Sequence, residues 1–506
     1  MILPRAQAWL PWAGLVALAG ALYNAAFLGT AAGIDQLITA DTLLPVQMAW
    51  DMHHHPWAWA GFQWPRVPSL LPDMAWFFAA EWLGLGWRRA MLGWSWLAIG
   101  LLSLGLGGLV AQLRAEPASR ASARVAAALA LAIAAVGLLC AAGAPAVLWF
   151  PLLYVALPVT HGGAFILSLF AARMALGRLE GRPGRWWPLL ALCWAGAASD
   201  LLFVADFLAP LAIVCLLRLP PAARRDLPQL ARALGLPLAC ALACALGWAV
   251  QLLLYRQPLP YLATAPLWWK ALLLAMDLAA APWAVLLFWL LGRMGRQALE
   301  ALGGAPGQSC LLAFGALAAA LSVPVLLLFY NDHTYSYRYA LPLLWWPLLP
   351  LLADGPRAGG RWQGRLGWAA LALGVGLPLA VPLRLLAWRS PLEACLSALA
   401  RPAGLTAGLA SYWYLRPTAA SADWALQIDQ IDDTGARGLW GNDTAAYGHD
   451  QNAPNHAPPY RFLIREPGLP AARMRTAFGP PQAIRPCPGA DIWLYARPLI
   501  PAIFPR

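Results

Sequence analysis

"WLPWAGLVALAGALYNAAFL", residues 9–28, carries no charged side chain. A helix needs about 20 largely apolar residues to cross the roughly 30 Å hydrocarbon layer of a bilayer, so this run is long enough to span one. A cleaved leader has a shorter apolar core and a small-residue cleavage site. "GTAAG" at 29–33 offers small residues, but the length of the run predicts a retained first helix. The rest of the chain continues in kind: of 506 residues 61% are hydrophobic and only 11% charged, against roughly 25% charged in an average soluble domain. Barrel strands would show short segments of alternating polarity, whereas these runs are long and uniformly apolar. The expected fold is an all-α polytopic membrane helix bundle.

Apolar runs place eleven spans near 9–30, 91–113, 125–148, 156–173, 186–203, 204–220, 233–255, 271–292, 308–330, 340–354 and 366–388. The closely spaced pair within 186–220 also fits one broken helix. Formal net charge is +12, and Lys270 is the only lysine. A basic total points to nucleic acid only where the charge gathers on one solvated surface. Here the arginines recur between hydrophobic runs instead, so a nucleic-acid partner is not expected. They form five clusters between alternate spans: Arg114, Arg120 and Arg124; Arg173, Arg178, Arg182 and Arg185; Arg218, Arg224, Arg225 and Arg232; Arg293 and Arg296; Arg357, Arg361 and Arg365. Short cytoplasmic loops retain positive charge, which predicts that all five clusters and the N-terminus face the cytoplasm. Arg66, Arg88, Arg89 and Arg256 run against this scheme.

Acids and histidines collect in the opposite loops: Asp35, Asp41, Asp51 and His53 to His55; His161; Asp200 and Asp206; Asp332 and His333. The domain plan is a membrane domain over 1–388, including a first external loop at 31–90, followed by a small α+β extracytoplasmic domain over 389–506. The loop is too long for a simple connector. Its seven tryptophans, Trp50, Trp57, Trp59, Trp64, Trp76, Trp82 and Trp87, suit amphipathic segments at headgroup level. In the tail, "GLWGNDTAAYG" (438–448) and "ADIWLYARP" (490–498) read as strands bounded by turn residues. Six cysteines fall inside predicted spans. Cys395 and Cys487 fall in the tail, where an oxidising compartment favours a disulfide between them, unless the two are simply distant.

The stretches "ITADTLLPVQMAWD" (38–51), "WPRVPSLLPDM" (64–74) and "NDHTYSYRYALP" (331–342) resemble the GT-C superfamily of membrane glycosyltransferases. Lipid A aminoarabinose transferases and protein O-mannosyltransferases are members. The resemblance implies a polyprenyl-phosphate sugar as donor, membrane lipid as surroundings and a glycan, lipid or protein as acceptor. It also implies the inner (plasma) membrane of a bacterium, with the C-terminal domain extracytoplasmic. Many relatives carry adjacent acids in the first loop, whereas Asp41 is followed by Thr42 here, so Asp41 acts alone or Asp51 supplies a second carboxylate.

Sugar transfer needs a base for the acceptor hydroxyl and a cation for the departing phosphate. Asp41 is the expected base, the alternative being that it caps a helix starting at "TADT". Arg338 is the expected phosphate ligand, since guanidinium offers a bidentate fork, and the alternative is an arginine snorkelling beside Tyr337 and Tyr339. Lys270 is a further phosphate candidate or an interfacial helix anchor. Asp200, with Asp206, either lines an acceptor pocket or marks a helical turn, and His161 and His333 are further substrate-binding candidates. Asp277 has no role beyond lining the cavity. No cofactor is expected. A divalent metal at "DMHHHP" (51–56), helped by His161, Asp332 or His333, is the alternative, but adjacent histidines lack the i, i+4 spacing of a helical ligand pair. A transporter or lipid flippase competes as a function, because acids inside a bundle also mark transport pathways. A catalytically silent scaffold is the third reading.

Overall fold

A computed structural model describes residues 8–30, 33–34, 37–65, 67–141, 154–219, 226–254, 266–280, 282–302, 306–330, 336–354, 369–370, 372–374, 384–439 and 441–502. Helix α1 (Leu10–Tyr23) continues through a wider turn to Leu28. The first loop then forms α2 (Ala40–His54), the two-residue strand β1 (Phe62–Gln63) and α3 (Ala75–Trp82). The bundle continues with α4 (Gly86–Arg114), α5 (Ala118–Ala141), α6 (Gly162–Leu179), α7 (Trp186–Ser199), α8 (Ala209–Leu217), α9 (Leu227–Leu254), α10 (Leu267–Ala280), α11 (Pro282–Leu302) and α12 (Pro306–Phe329). Two short helices follow, α13 (Leu341–Trp345) and α14 (Leu348–Asp354).

Among the described residues, six helices are long and apolar enough to cross a membrane: Leu10–Leu28, Gly86–Arg114, Ala118–Leu139, Gly162–Leu179, Leu227–Leu254 and Cys310–Phe329. Each overlaps a span expected from the sequence. Other expected spans differ. The one at 271–292 is split into two helices bent by 103°, and counting that pair as one crossing raises the number to seven. The pair at 186–220 is broken as read: an extended Asp200 ends α7, and the chain re-enters helix through a wider turn at Val204–Leu208 that continues into α8. The span at 340–354 is broken into α13 and α14, and most of 366–388 lies outside the described residues.

Helix packing relies on small residues, as expected where lipid removes most of the hydrophobic drive between helices. A Cβ on Gly247 of α9 would collide with the Trp194 carbonyl of α7, and one on Gly107 of α4 would collide with the Ser122 backbone of α5. These glycines let the backbones touch, and α7 with α9 and α4 with α5 are among the most closely packed pairs.

The C-terminal region folds as α15 (Pro391–Ala403), β2 (Ala407–Ala410), α16 (Tyr412–Ser421), β3 (Gln427–Gln430), β4 (Asn442–Asp443), β5 (Tyr460–Arg465), α17 (Ala471–Phe478), β6 (Ala483–Cys487) and β7 (Ala490–Leu494). Its five-stranded sheet has the order β3-β2-β5-β7-β6. The β2 pairings are parallel and the β7 pairings antiparallel, with α16 as the crossover from β2 to β3. Cys395 and Cys487 form the expected disulfide, tying α15 to the sheet edge. Of the expected strand at 438–448 only β4 is extended. It leaves the sheet to pair antiparallel with β1 of the first loop, Phe62 opposite Asp443.

Through that pairing the first loop packs against the C-terminal region. Leu44, Met48, Met52, Ala58, Phe62 and Met74 form a core within it, Trp50 stacks on Trp424 with ring centroids 5.4 Å apart, and Trp57 stacks on His449 at 4.8 Å. Several of its tryptophans therefore serve a protein interface.

Candidate functional site

The two ends of the bundle differ in charge. At one end Gln112 donates to Glu180, Arg218 donates to the Leu179 carbonyl, Arg114 to the Ala353 carbonyl, and Arg293 pairs with Asp354. Among the described residues, Arg114, Arg218 and Arg293 thus bridge neighbouring segments on a single face. Helix α6 starts at His161 and ends near Arg178, while α7 starts at Arg185 and ends at Asp200. Eighteen helical residues rise about 27 Å, which carries the opposite ends of these helices away from the arginine face.

On that opposite side lies a cavity of about 720 Å³, lined by Asp41, His161, Asp200, Gln251, Phe329, Arg338, Tyr339, Tyr412 and Trp413 among others. Four of the residues singled out in the sequence, Asp41, Arg338, His161 and Asp200, meet here. Arg338 Nη1 donates to Asp41 Oδ2 at 3.1 Å, and Tyr412 Oη donates to Asp41 Oδ1 at 2.5 Å.

Local sequence explains this placement. Thr39 caps α2: its side chain accepts from the Thr42 amide at 3.3 Å, and Thr42 Oγ1 accepts from the Thr39 amide at 2.9 Å, a reciprocal capping box. Asp41 is therefore not the cap, and its carboxylate points into the cavity. Arg338 sits on a single 3₁₀ turn, Tyr337–Ala340, with its guanidinium 5.1 Å from the Tyr339 ring centroid. Tyr412 opens α16, and Arg416, one turn later, holds that helix against α2. Arg416 is fully buried and donates to Gln47 Oε1 at 2.7 Å and to the Ala40 and Gly441 carbonyls. Its guanidinium also lies 4.5 Å from the Tyr412 ring.

The other wall is a histidine–carboxylate pair. His161 Nδ1 lies 2.5 Å from Asp200 Oδ2, and Asp200 Oδ1 accepts from the Leu202 amide at 2.9 Å. With Nδ1 donating to the carboxylate, Nε2 is left as an acceptor or proton carrier. His161 is left-handed (φ +66°), and Tyr339 covers its ring at 4.7 Å. The first loop closes this side: Ser69 and Leu71 amides donate to Ser199, and Asp73 Oδ1 accepts from the Val159 amide at 2.7 Å.

Other expected site residues lie elsewhere. Asp51 is not in this cavity, because ten residues of α2 carry it to a separate polar hollow of about 40 Å³ shared with Asp429, Asp443, His55 and His449. Burial pushes the Asp51 carboxyl well above the ordinary carboxylate range, and neighbouring Asp443 and Asp429 push it further. Burial likewise raises Asp429 to about 7 and Asp443 to about 6. Lys270 is turned away, its Nζ donating to the Leu328 carbonyl at 2.7 Å. Asp277 accepts from Tyr330. Asp332 and His333 lie outside the described residues. Tyr412 and Gln251 carried no signal in the sequence. Tyr412 is 371 residues from Asp41 and lies in the tail.

A second cavity, about 320 Å³ and lined almost wholly by aliphatic side chains, lies among α1, α4, α5, α11 and α13–α14, where Tyr23, Leu106, Ile133, Leu290 and Trp345 face it. No protein-family model, curated protein or solved structure matches this chain.

Proposed function

We propose that the chain is a membrane glycosyltransferase of GT-C type, moving a sugar from a polyprenyl-phosphate donor to an envelope acceptor. The observation that carries this reading is the 3.1 Å pairing of Asp41 with Arg338 in one roomy cavity, away from the arginine face. The finer topology belongs to the same proposal: the arginine face is cytoplasmic, the C-terminal region is extracytoplasmic, and the membrane is a bacterial inner membrane crossed about eleven times by the whole chain.

In this mechanism the incoming donor phosphate takes over the Arg338 guanidinium, whose fork suits phosphate oxygens. Asp41 then exchanges its ion pair for the acceptor hydroxyl. The acceptor oxygen forms a bond to the anomeric carbon as the bond from that carbon to the phosphate oxygen breaks. Its proton passes to Asp41, and the electron pair leaves with polyprenyl phosphate, whose charge Arg338 neutralises. Tyr412 holds the Asp41 carboxylate in position. The His161–Asp200 pair faces the same space and serves to hold sugar or acceptor hydroxyls. The aliphatic cavity supplies an apolar surface suited to an isoprenoid chain.

The test is release of polyprenyl phosphate by purified protein supplied with polyprenyl-phosphate sugars and envelope acceptors. Asp41→Asn is expected to lower turnover by about 10²- to 10⁴-fold, the usual contribution of a positioned base. Equal turnover by both proteins would remove Asp41 as the base. Movement of intact donor across a vesicle bilayer, without sugar transfer, would favour the flippase reading.

A further inference from the structure

We propose that His53, His54 and Glu81 form a binding site for a zinc-class divalent cation at the junction of α2 and α3, apart from the Asp41 cavity. This proposal does not rest on the glycosyltransferase reading. The two histidines stand in the last turn of α2, and Glu81 stands in the last turn of α3, 27 residues beyond His54. Neighbouring histidines alone do not make a ligand set, because consecutive helical side chains diverge. The fold supplies what the local sequence lacks, a carboxylate facing both rings.

One ligand atom from each of the three residues lies within 4.8 Å of the other two. Glu81 Oε1 is 3.5 Å from His53 Nδ1, and the His54 ring, its Nδ1 3.8 Å from the same oxygen, stands beside that carboxylate with Nε2 left as its ligand atom. Zinc bonds of about 2.0–2.1 Å in tetrahedral array set neighbouring ligand atoms about 3.3 Å apart, so small side-chain rotations close the site. His54 is also held in orientation. Its Nδ1 lies 2.9 Å from the Trp50 carbonyl and its ring stacks on Trp50 with centroids 4.8 Å apart. A ring nitrogen bonded to a backbone carbonyl leaves the other nitrogen with the lone pair a metal uses, the usual support for a metal-binding histidine.

Ligand chemistry decides which ion fits. Two imidazoles and one carboxylate suit zinc or a similar first-row cation. Calcium and magnesium prefer six or more oxygens, and only one carboxylate is present here. Both histidine side chains are 44% exposed while Glu81 is 15% exposed, so solvent reaches the site and a water completes the fourth position. Bound metal would tie the end of α2 to α3 and brace the first loop where it meets the C-terminal region.

The experiment uses the tag-free full chain in detergent, stripped with a chelator and titrated calorimetrically with zinc chloride, magnesium chloride serving as the second arm. The expected result is saturable binding of about one zinc per chain, no competition by magnesium and a higher thermal midpoint with zinc. His53→Ala and Glu81→Gln should each weaken zinc binding by about tenfold or more. His456→Ala, at an exposed histidine of the C-terminal region, should bind as wild type does. An unchanged metal-free midpoint for Glu81→Gln separates loss of a ligand from loss of fold. Absence of saturable zinc binding, or equal affinity in Glu81→Gln and wild type, would overturn the site, and equal competition by magnesium would overturn its zinc character.

Discussion

At one end of the bundle Arg114, Arg218 and Arg293 reach across to carbonyls or a carboxylate of neighbouring loops, from positions that water still touches. At the other end three arginines are committed to specific partners. Arg416 is wholly enclosed and donates to three different residues, Arg338 pairs with Asp41, and Arg88 pairs with Asp423 of the C-terminal region. The contrast separates two uses of the same side chain. On the arginine face, position relative to the membrane matters and the individual partner matters little, since a half-exposed ion pair contributes only about 0–1 kcal/mol. On the cavity face, a buried guanidinium survives only with its partners in place, and it therefore fixes geometry.

Breaking the second use should have the larger effect. Arg416→Met removes the donors that join α16 to Gln47 and to the Ala40 and Gly441 carbonyls, and leaves those acceptors buried. Destabilisation of roughly 3–5 kcal/mol is expected, the range for losing one partner of a buried charged network. Limited proteolysis should then cut between the first loop and the C-terminal region before it cuts the helices. Resistance equal to wild type would mean that Arg416 does not hold the two together.

A smaller effect sharpens the comparison through pH. Asp51, Asp429 and Asp443 sit across the same interface with carboxyls raised by burial. The folded chain then binds protons that the unfolded chain releases near pH ~4. Their contribution to stability is most favourable in acid and declines as pH rises from about 4 towards the folded values of about 6 for Asp443 and about 7 for Asp429, remaining low above them. The thermal midpoint of Asp51→Asn, followed from acid to neutral pH, should fall less steeply than that of wild type. Parallel curves would exclude the cluster as the source of the slope.

The smallest effect belongs to the arginine face. Arg293→Gln breaks the pair with Asp354, whose side chain is 55% exposed, and should change the thermal midpoint by less than about 1 kcal/mol in equivalent stability. A loss as large as that for Arg416→Met would erase the distinction between the two faces.

Much of the membrane layout was legible in residue order. Long apolar runs predicted the six helices long and apolar enough to cross, and arginine spacing the placing of Arg114, Arg218 and Arg293 on one face, because both signals act over one helix length. The break within 186–220 was read from the sequence, whereas the one between α13 and α14 was not, since short helices joined by a turn have the same local composition as one span. The candidate site was half legible. Asp41, Arg338, His161 and Asp200 stood out as polar groups in apolar surroundings, and the fold brings all four to one cavity. Asp51 stood out for the same reason, yet α2 runs on for ten residues past Asp41 and delivers it to a different hollow.

By itself the sequence determined that the chain is a helical membrane protein and that Cys395 and Cys487 were available to pair. Only the tertiary structure decided that β1 of the first loop pairs with β4 of the tail, that Tyr412 touches Asp41 and that Glu81 stands beside His53 and His54. The physical reason is range. Hydrophobicity and positive charge act through the membrane on each segment separately, whereas a hydrogen bond or a metal ligand set depends on a few ångströms between residues that chain order leaves far apart.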